Sequence, residues 1–128
     1  MAEISNYLEN ALINGTLRAT SYTAPTTTYL ALYTNDPTDA DTGTEVTGGS
    51  YVRQAITFSA PSGGATSNSS AIEYPQCTAD WGTITHVGIR DAVTAGNLLY
   101  HTALDTNKTI NNGDIFKVTA TNLSVTLA

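Results

Sequence analysis

The sequence predicts a mainly β protein, a single antiparallel β-sandwich or jelly-roll domain over residues 1–128 with one N-terminal α-helix. Three observations carry this. Short runs rich in β-branched and aromatic residues recur between Gly-, Ser-, Asn- and Pro-rich turns, enough for about seven strands. Only one segment has helical spacing. A chain of 128 residues with no internal repeat and no composition break suits one core.

The helix belongs to residues 1–16, in SNYLENALING, with Ser5 as its cap and Gly15 ending it in a left-handed conformation. Ile4, Leu8, Ala11 and Leu12 form its apolar stripe. A lone helix of about ten residues is marginal in water, so it must dock on its own sheet or on a partner. The β-sandwich occupies 27–128. In TAPTTTYLALYT, Tyr29, Ala31 and Tyr33 share one face of a strand, and Leu30 and Leu32 the other. Apolar groups on both faces predict a central strand covered on both sides. Residues 35–50, NDPTDADTGTEVTGGS, read as a surface loop. Its carboxylates Asp36, Asp39, Asp41 and Glu45 do not follow the spacing of a calcium loop, so a solvated acidic loop is the default. YVRQAITF alternates as a half-buried strand, and SAPSGGATSNSS is a flexible loop joining strands. A last pair of strands follows the Asn-Asn-Gly-Asp turn, at Ile115–Ala120 and over 123–127.

The stretch WGTITHVGIRDAVTAGNLLYHTAL, 81–104, is a hairpin. A symmetric turn with Arg90 opposite Asn97 would set His86 directly opposite His101. As metal ligands the two imidazoles would need a further donor, with Cys77, Asp80 or a partner subunit as candidates. As a pH-sensitive contact they would face each other or another protomer. The default remains two histidines hydrogen-bonded in or beside a sheet, with no cofactor and no resident metal.

Five basic residues against eleven acidic ones give a net charge of −6, and no basic cluster forms a phosphate-binding face, so nucleic acid is not an expected partner. No apolar run approaches the roughly 18 residues of a membrane span, and no signal peptide is legible, which predicts cytoplasmic synthesis and assembly. The single Cys77 excludes an internal disulfide and reads as a buried thiol. No hydrolase elbow, zinc-protease helix or phosphate loop is present, so catalytic residues are not expected.

The succession YLALYT, DPT, GTEV, GGSYVRQ and DWGTITHVGI, with the SNYLEN helix and SAPSGGATSNSS, covers nearly all of the chain. In these segments it resembles a family of small tailed-bacteriophage virion proteins, labelled phage tail fibre proteins, some of which are understood as capsid cement or decoration subunits. The resemblance implies a non-enzymatic structural protein of the virion, assembled in the host cytoplasm. Its partners would be the major capsid protein or other virion subunits, with copies of itself in a dimer or trimer. A small, weakly charged β-domain repeated on a lattice gains from multivalency, which favours a capsid cement over a tail component. Candidate interface residues are Ile4, Tyr7, Leu8, Tyr29, Tyr33, Tyr51, Trp81 and Tyr100. A third reading is a carbohydrate- or receptor-binding module with Trp81, the tyrosines and the acidic loop as a shallow sugar site.

Overall fold

The computed structural model describes residues 2–127. Its elements in chain order are β1 (Glu3–Ile4), α1 (Asn6–Leu17), β2 (Thr28–Tyr33), β3 (Gln54–Ile56), β4 (Ala65–Ser67), β5 (Ile72–Glu73), β6 (Gly82–Arg90), β7 (Leu98–Ile110), β8 (Lys117–Val118) and β9 (Ser124–Thr126). One five-stranded antiparallel sheet has the order β1-β7-β6-β2-β3. The antiparallel ribbons β4-β9 and β5-β8 supply the opposing layer of an open sandwich. No described helix is long and apolar enough to cross a membrane.

The core forms where the two layers meet. Leu30, Leu32, Ile84, Val87 and Ile89 of the large sheet pack with Ile72, Tyr74, Phe116, Leu123 and Val125. As the two-faced pattern of TYLALY requires, β2 lies inside the sheet, between β6 and β3. Asn68 joins the ribbons. Its side chain is fully buried, donates to Ser70 O (2.9 Å) and Thr119 O (3.0 Å), and accepts from Leu123 N at 2.9 Å. A buried amide with its bonds made specifies the layer rather than weakening it.

Several boundaries move from the sequence expectation. Ser5 caps α1, accepting from Leu8 N at 3.2 Å, but the helix runs past Gly15 to Leu17. The left-handed residue is Ala19 (φ 56°), and Asn14 O accepts from both Arg18 N and Thr20 N. YVRQAITF contributes only the short β3, and Ile115–Ala120 only β8. The supposedly flexible SAPSGGATSNSS contains β4, whose Thr66 sits opposite Val125. Small polar residues carry no alternation to read, so that strand is imposed by its partner.

The hairpin register is the main correction. Arg90 pairs with Leu98, Gly88 with His101, and His86 with Ala103. The Asp91 carboxylate holds Asn97 inside the turn, accepting from its backbone N at 2.7 Å and its Nδ2 at 3.0 Å. A bulge between the Ile89 and Arg90 rungs then consumes one more residue of β7. The shift is two residues, so His86 and His101 stay on one face as diagonal neighbours rather than an opposed pair. Further along, Leu104 to Asn107 bulge opposite the single Thr85, which brings Ile84 and Val87 onto the same core face.

Candidate functional site

The second face of the large sheet gathers the chain's buried charge. β6 delivers Arg90 and Gly88 to this face, β7 delivers His101, and β2 delivers Tyr33. Gly88 is a packing requirement, since an added Cβ would lie 2.7 Å from Leu98 Cδ1 and 2.9 Å from Tyr33 Cε2. Over this face runs the loop 34–46, whose Asp41 and Glu45 pair with buried arginines, while Asp36 and Asp39 remain exposed as a surface loop's acids should.

Asp41 receives a bidentate pair from Arg90, at 2.7 and 2.8 Å, and Arg90 also donates to Tyr33 Oη at 2.9 Å and Gly96 O at 3.0 Å. Glu45 receives a second bidentate pair from Arg53, at 2.8 and 2.7 Å. Arg53 Nη1 donates onward to Ala92 O (2.9 Å) and Ala95 O (2.8 Å) of the hairpin turn. Both arginine side chains are only 8% exposed. Two planar forks thus clamp one turn and one loop to the sheet edge.

The electrostatics follow from this enclosure. Burial opposes ionisation of Glu45, but hydrogen bonds from Arg53 and Tyr51 together with the Arg53 charge outweigh it, holding the carboxyl below its usual range. Burial, then the bond to Glu45, pushes the Tyr51 hydroxyl up. That hydroxyl donates to Glu45 and accepts from Leu32 N at 3.0 Å, closing the end of β2. A depressed carboxylate stabilises the fold above its unfolded value of about 4.3, and this contribution disappears as pH falls through the folded value. Glu45→Gln is therefore expected to lose about 1–3 kcal/mol at pH 7 and to flatten the decline of stability below pH ~5. Urea midpoints at pH 7, 5, 4 and 3 check this, and parallel pH curves for the two proteins would contradict it.

His101 occupies the neighbouring corner, at 2% side-chain exposure. Its Nε2 lies 2.8 Å from Asp39 Oδ1, and Nδ1 faces Glu3 Oε2 at 3.6 Å and Asp36 Oδ1 at 3.8 Å. β1 reaches this corner by pairing Glu3 with His101 and Ile4 with Tyr100. Backbone bonds from Ser5 N to Leu99 O (3.0 Å) and Asn6 N to Asp39 O (2.8 Å) fasten the strap. His86 stands apart, its Nδ1 2.8 Å from Thr85 Oγ1. Cys77 is buried and bonds Ala79 O, and Asp80 accepts from Asn112 N at 2.8 Å, so neither joins a histidine as a further ligand. Among the described residues, no three His, Cys, Asp or Glu groups stand arranged around a metal position.

The interface candidates divide by burial. Leu8 (3%), Tyr33 (1%) and Trp81 (5%) are consumed by the chain's own packing and offer no surface to a partner. A sugar platform on Trp81 fails for the same reason. Ile4, Tyr29, Tyr51 and Tyr100 are half-buried, while Tyr7 is 43% exposed. Burial pushes the Tyr100 hydroxyl up, consistent with its packing against the core. Sequence reasoning missed the apolar pair Ile13 (53% exposed) and Leu17 (79%), four residues apart on α1. Their signal was available, since they lie off the stripe that carries Leu8. An open groove of about 610 Å³ between the layers, with Leu104, Lys108, Ile115 and Lys117 in its wall, was not legible at all.

Among the described residues, Arg53 and Arg90 are buried in ion pairs, and α1 turns Ile13 and Leu17 outward. The family described as podophage GP4 fiber I protein gp80 matches residues 3–126. The chain belongs to this fibre protein family. The match runs from β1 through β9, so the fibre-family domain includes both the strap and the second layer. No curated protein matches the chain. Membership makes it a fibre-type component of a bacteriophage virion.

Proposed function

We propose that this fibre-family chain is a structural subunit of the tail-fibre apparatus, acting by protein–protein contact without catalysis. The observation that carries the reading is the family match over residues 3–126. The geometry adds a reason for contact. Tyr7, Ile13 and Leu17 leave apolar area on α1 that the chain itself does not cover. Glu9 one turn before Ile13 and Arg18 after Leu17 flank that area, giving it an apolar centre with a charged rim. The partners are other virion subunits, including copies of itself in a dimer or trimer.

Capsid cement is the competing reading, in which the same domain would bridge major capsid subunits. A compact body suits either position, and multivalency would serve both. Copy number and location separate them. Cryo-electron microscopy and quantitative mass spectrometry of the parent particle are expected to find the chain at the tail vertex in a few tens of copies or fewer, as an order of magnitude set by the cyclic symmetry of tails. Hundreds of copies spread over the head would replace this reading with the cement role.

A further inference from the structure

The corner beneath β1 contains an arrangement that the ion-pair clamps do not explain. Asp39 Oδ1 lies 2.8 Å from His101 Nε2. An ionised carboxylate only accepts, so in the neutral ring Nε2 carries the proton and Nδ1 is a bare lone pair. Nδ1 is buried without a hydrogen-bond partner. It faces the carboxylates of Glu3 at 3.6 Å and Asp36 at 3.8 Å. Three acceptors thus converge with no donor among them. As the side chains stand, a proton on Nδ1 would have no hydrogen bond either, since the two oxygens lie 3.6 and 3.8 Å away.

We propose that this corner binds a first-row divalent metal ion of the zinc class, with His101 Nδ1, Glu3 and Asp36 as ligands. Asp39 then acts as the positioning carboxylate that metal-bound histidines commonly use on their second nitrogen. The spacing suits an ion. Two donors each about 2.0–2.1 Å from a tetrahedral ion lie about 3.4 Å apart, only a few tenths of an ångström less than the separations here. As the side chains stand, no three groups enclose a point. Closure needs only rotation of Glu3 and Asp36, which are 68% and 55% exposed, around an imidazole held by burial. One nitrogen and two carboxylates select zinc or manganese over calcium, which prefers all-oxygen shells of six to eight ligands. The bound ion would tie β1, the loop 34–46 and β7 together and anchor the strap from which α1 projects. This holds whether the chain sits on tail or head.

The test uses the full chain, stripped with chelator, dialysed, and titrated with zinc alone, read by calorimetry and thermal unfolding. The expected result is one zinc per chain and a Tm rise of roughly 5–10 °C at a hundredfold excess over Kd. Glu3→Gln and His101→Asn should each weaken binding about tenfold or more, while His86→Asn leaves it unchanged. Glu3 is exposed, so its variant keeps the test valid should His101→Asn fail to fold. No zinc binding below millimolar concentration, undiminished binding by Glu3→Gln, dependence on His86, or calcium binding as tight as zinc would each overturn the site.

Discussion

Replacing Trp81 by alanine is expected to remove about 3–5 kcal/mol of stability, the range for deleting a buried aromatic side chain. The ring lies edge-on to Tyr51 (5.5 Å, 88°) and to Tyr74 (6.0 Å, 76°), and Tyr74 in turn meets Phe116 at 5.7 Å. Its Nε1 donates to Gly49 O at 2.9 Å, and its backbone N to Ile110 O at 2.9 Å, so one residue joins the end of the acidic loop, β7 and the second layer. Gly49 answers this closeness. Its φ is +58°, and an added Cβ would lie 2.7 Å from Ala79 O and 2.8 Å from Trp81 Nε1. Trp81→Phe keeps most of the ring contact and removes one hydrogen bond to Gly49 O, which still accepts from Thr78 N at 3.1 Å, so a smaller loss of about 0.5–1.5 kcal/mol is expected. Urea denaturation followed by far-ultraviolet circular dichroism measures both variants without relying on the indole signal. A loss under 1 kcal/mol for the alanine variant would mean that the cluster does not need its central ring.

Arg90→Met should cost about 3 kcal/mol, at the lower edge of the range for breaking a buried ion pair. The lower edge applies because Asp41 is 35% exposed and Gly96 lies in an exposed turn, so both can be rehydrated, while the Tyr33 hydroxyl loses a donor in a buried setting. Asp41 has φ +59°, so Asn is the replacement that keeps its backbone. Asp41→Asn leaves the guanidinium buried and partly unpaired. The double variant is expected to lose less than the sum of the single losses, with a coupling of at least about 0.5 kcal/mol. Hydrogen exchange should accelerate in Asp91–Asn97 and in the loop 34–46, and protection unchanged there would show that the clamp is energetically idle.

Both predictions concern contacts that sequence patterns do not contain. The strand character of TYLALY and of 83–90 was legible because β-branched and aromatic alternation is a local property, and Ser5 as a helix cap is equally local. Trp81 stood among the partner-facing candidates, yet it is buried in the core. Sequence assigns an aromatic to a strand boundary without saying which side is covered. The four loop acids were visible, as were Arg53, Arg90 and His101, but their pairing was not. Asp41 and Arg90 are 49 residues apart, and Asp39 and His101 are 62 apart. Bringing them together depends on strand order rather than on spacing.

The hairpin 81–104 shows the division most clearly. Its two strands, its turn and its histidines belong to the sequence, together with the mainly β class and the phage fibre resemblance that the match over residues 3–126 bears out. Its register does not. Asp91 capturing Asn97, and the bulge between the Ile89 and Arg90 rungs, place His101 opposite Gly88 under the N-terminal strap and leave His86 opposite Ala103. Alternation of side chains has a period of two, so a two-residue slip leaves the pattern of faces unchanged and cannot be detected in it. Only the packing of the loop, the strap and the turn on the assembled sheet distinguishes the registers, and that packing decides which histidine is buried among carboxylates.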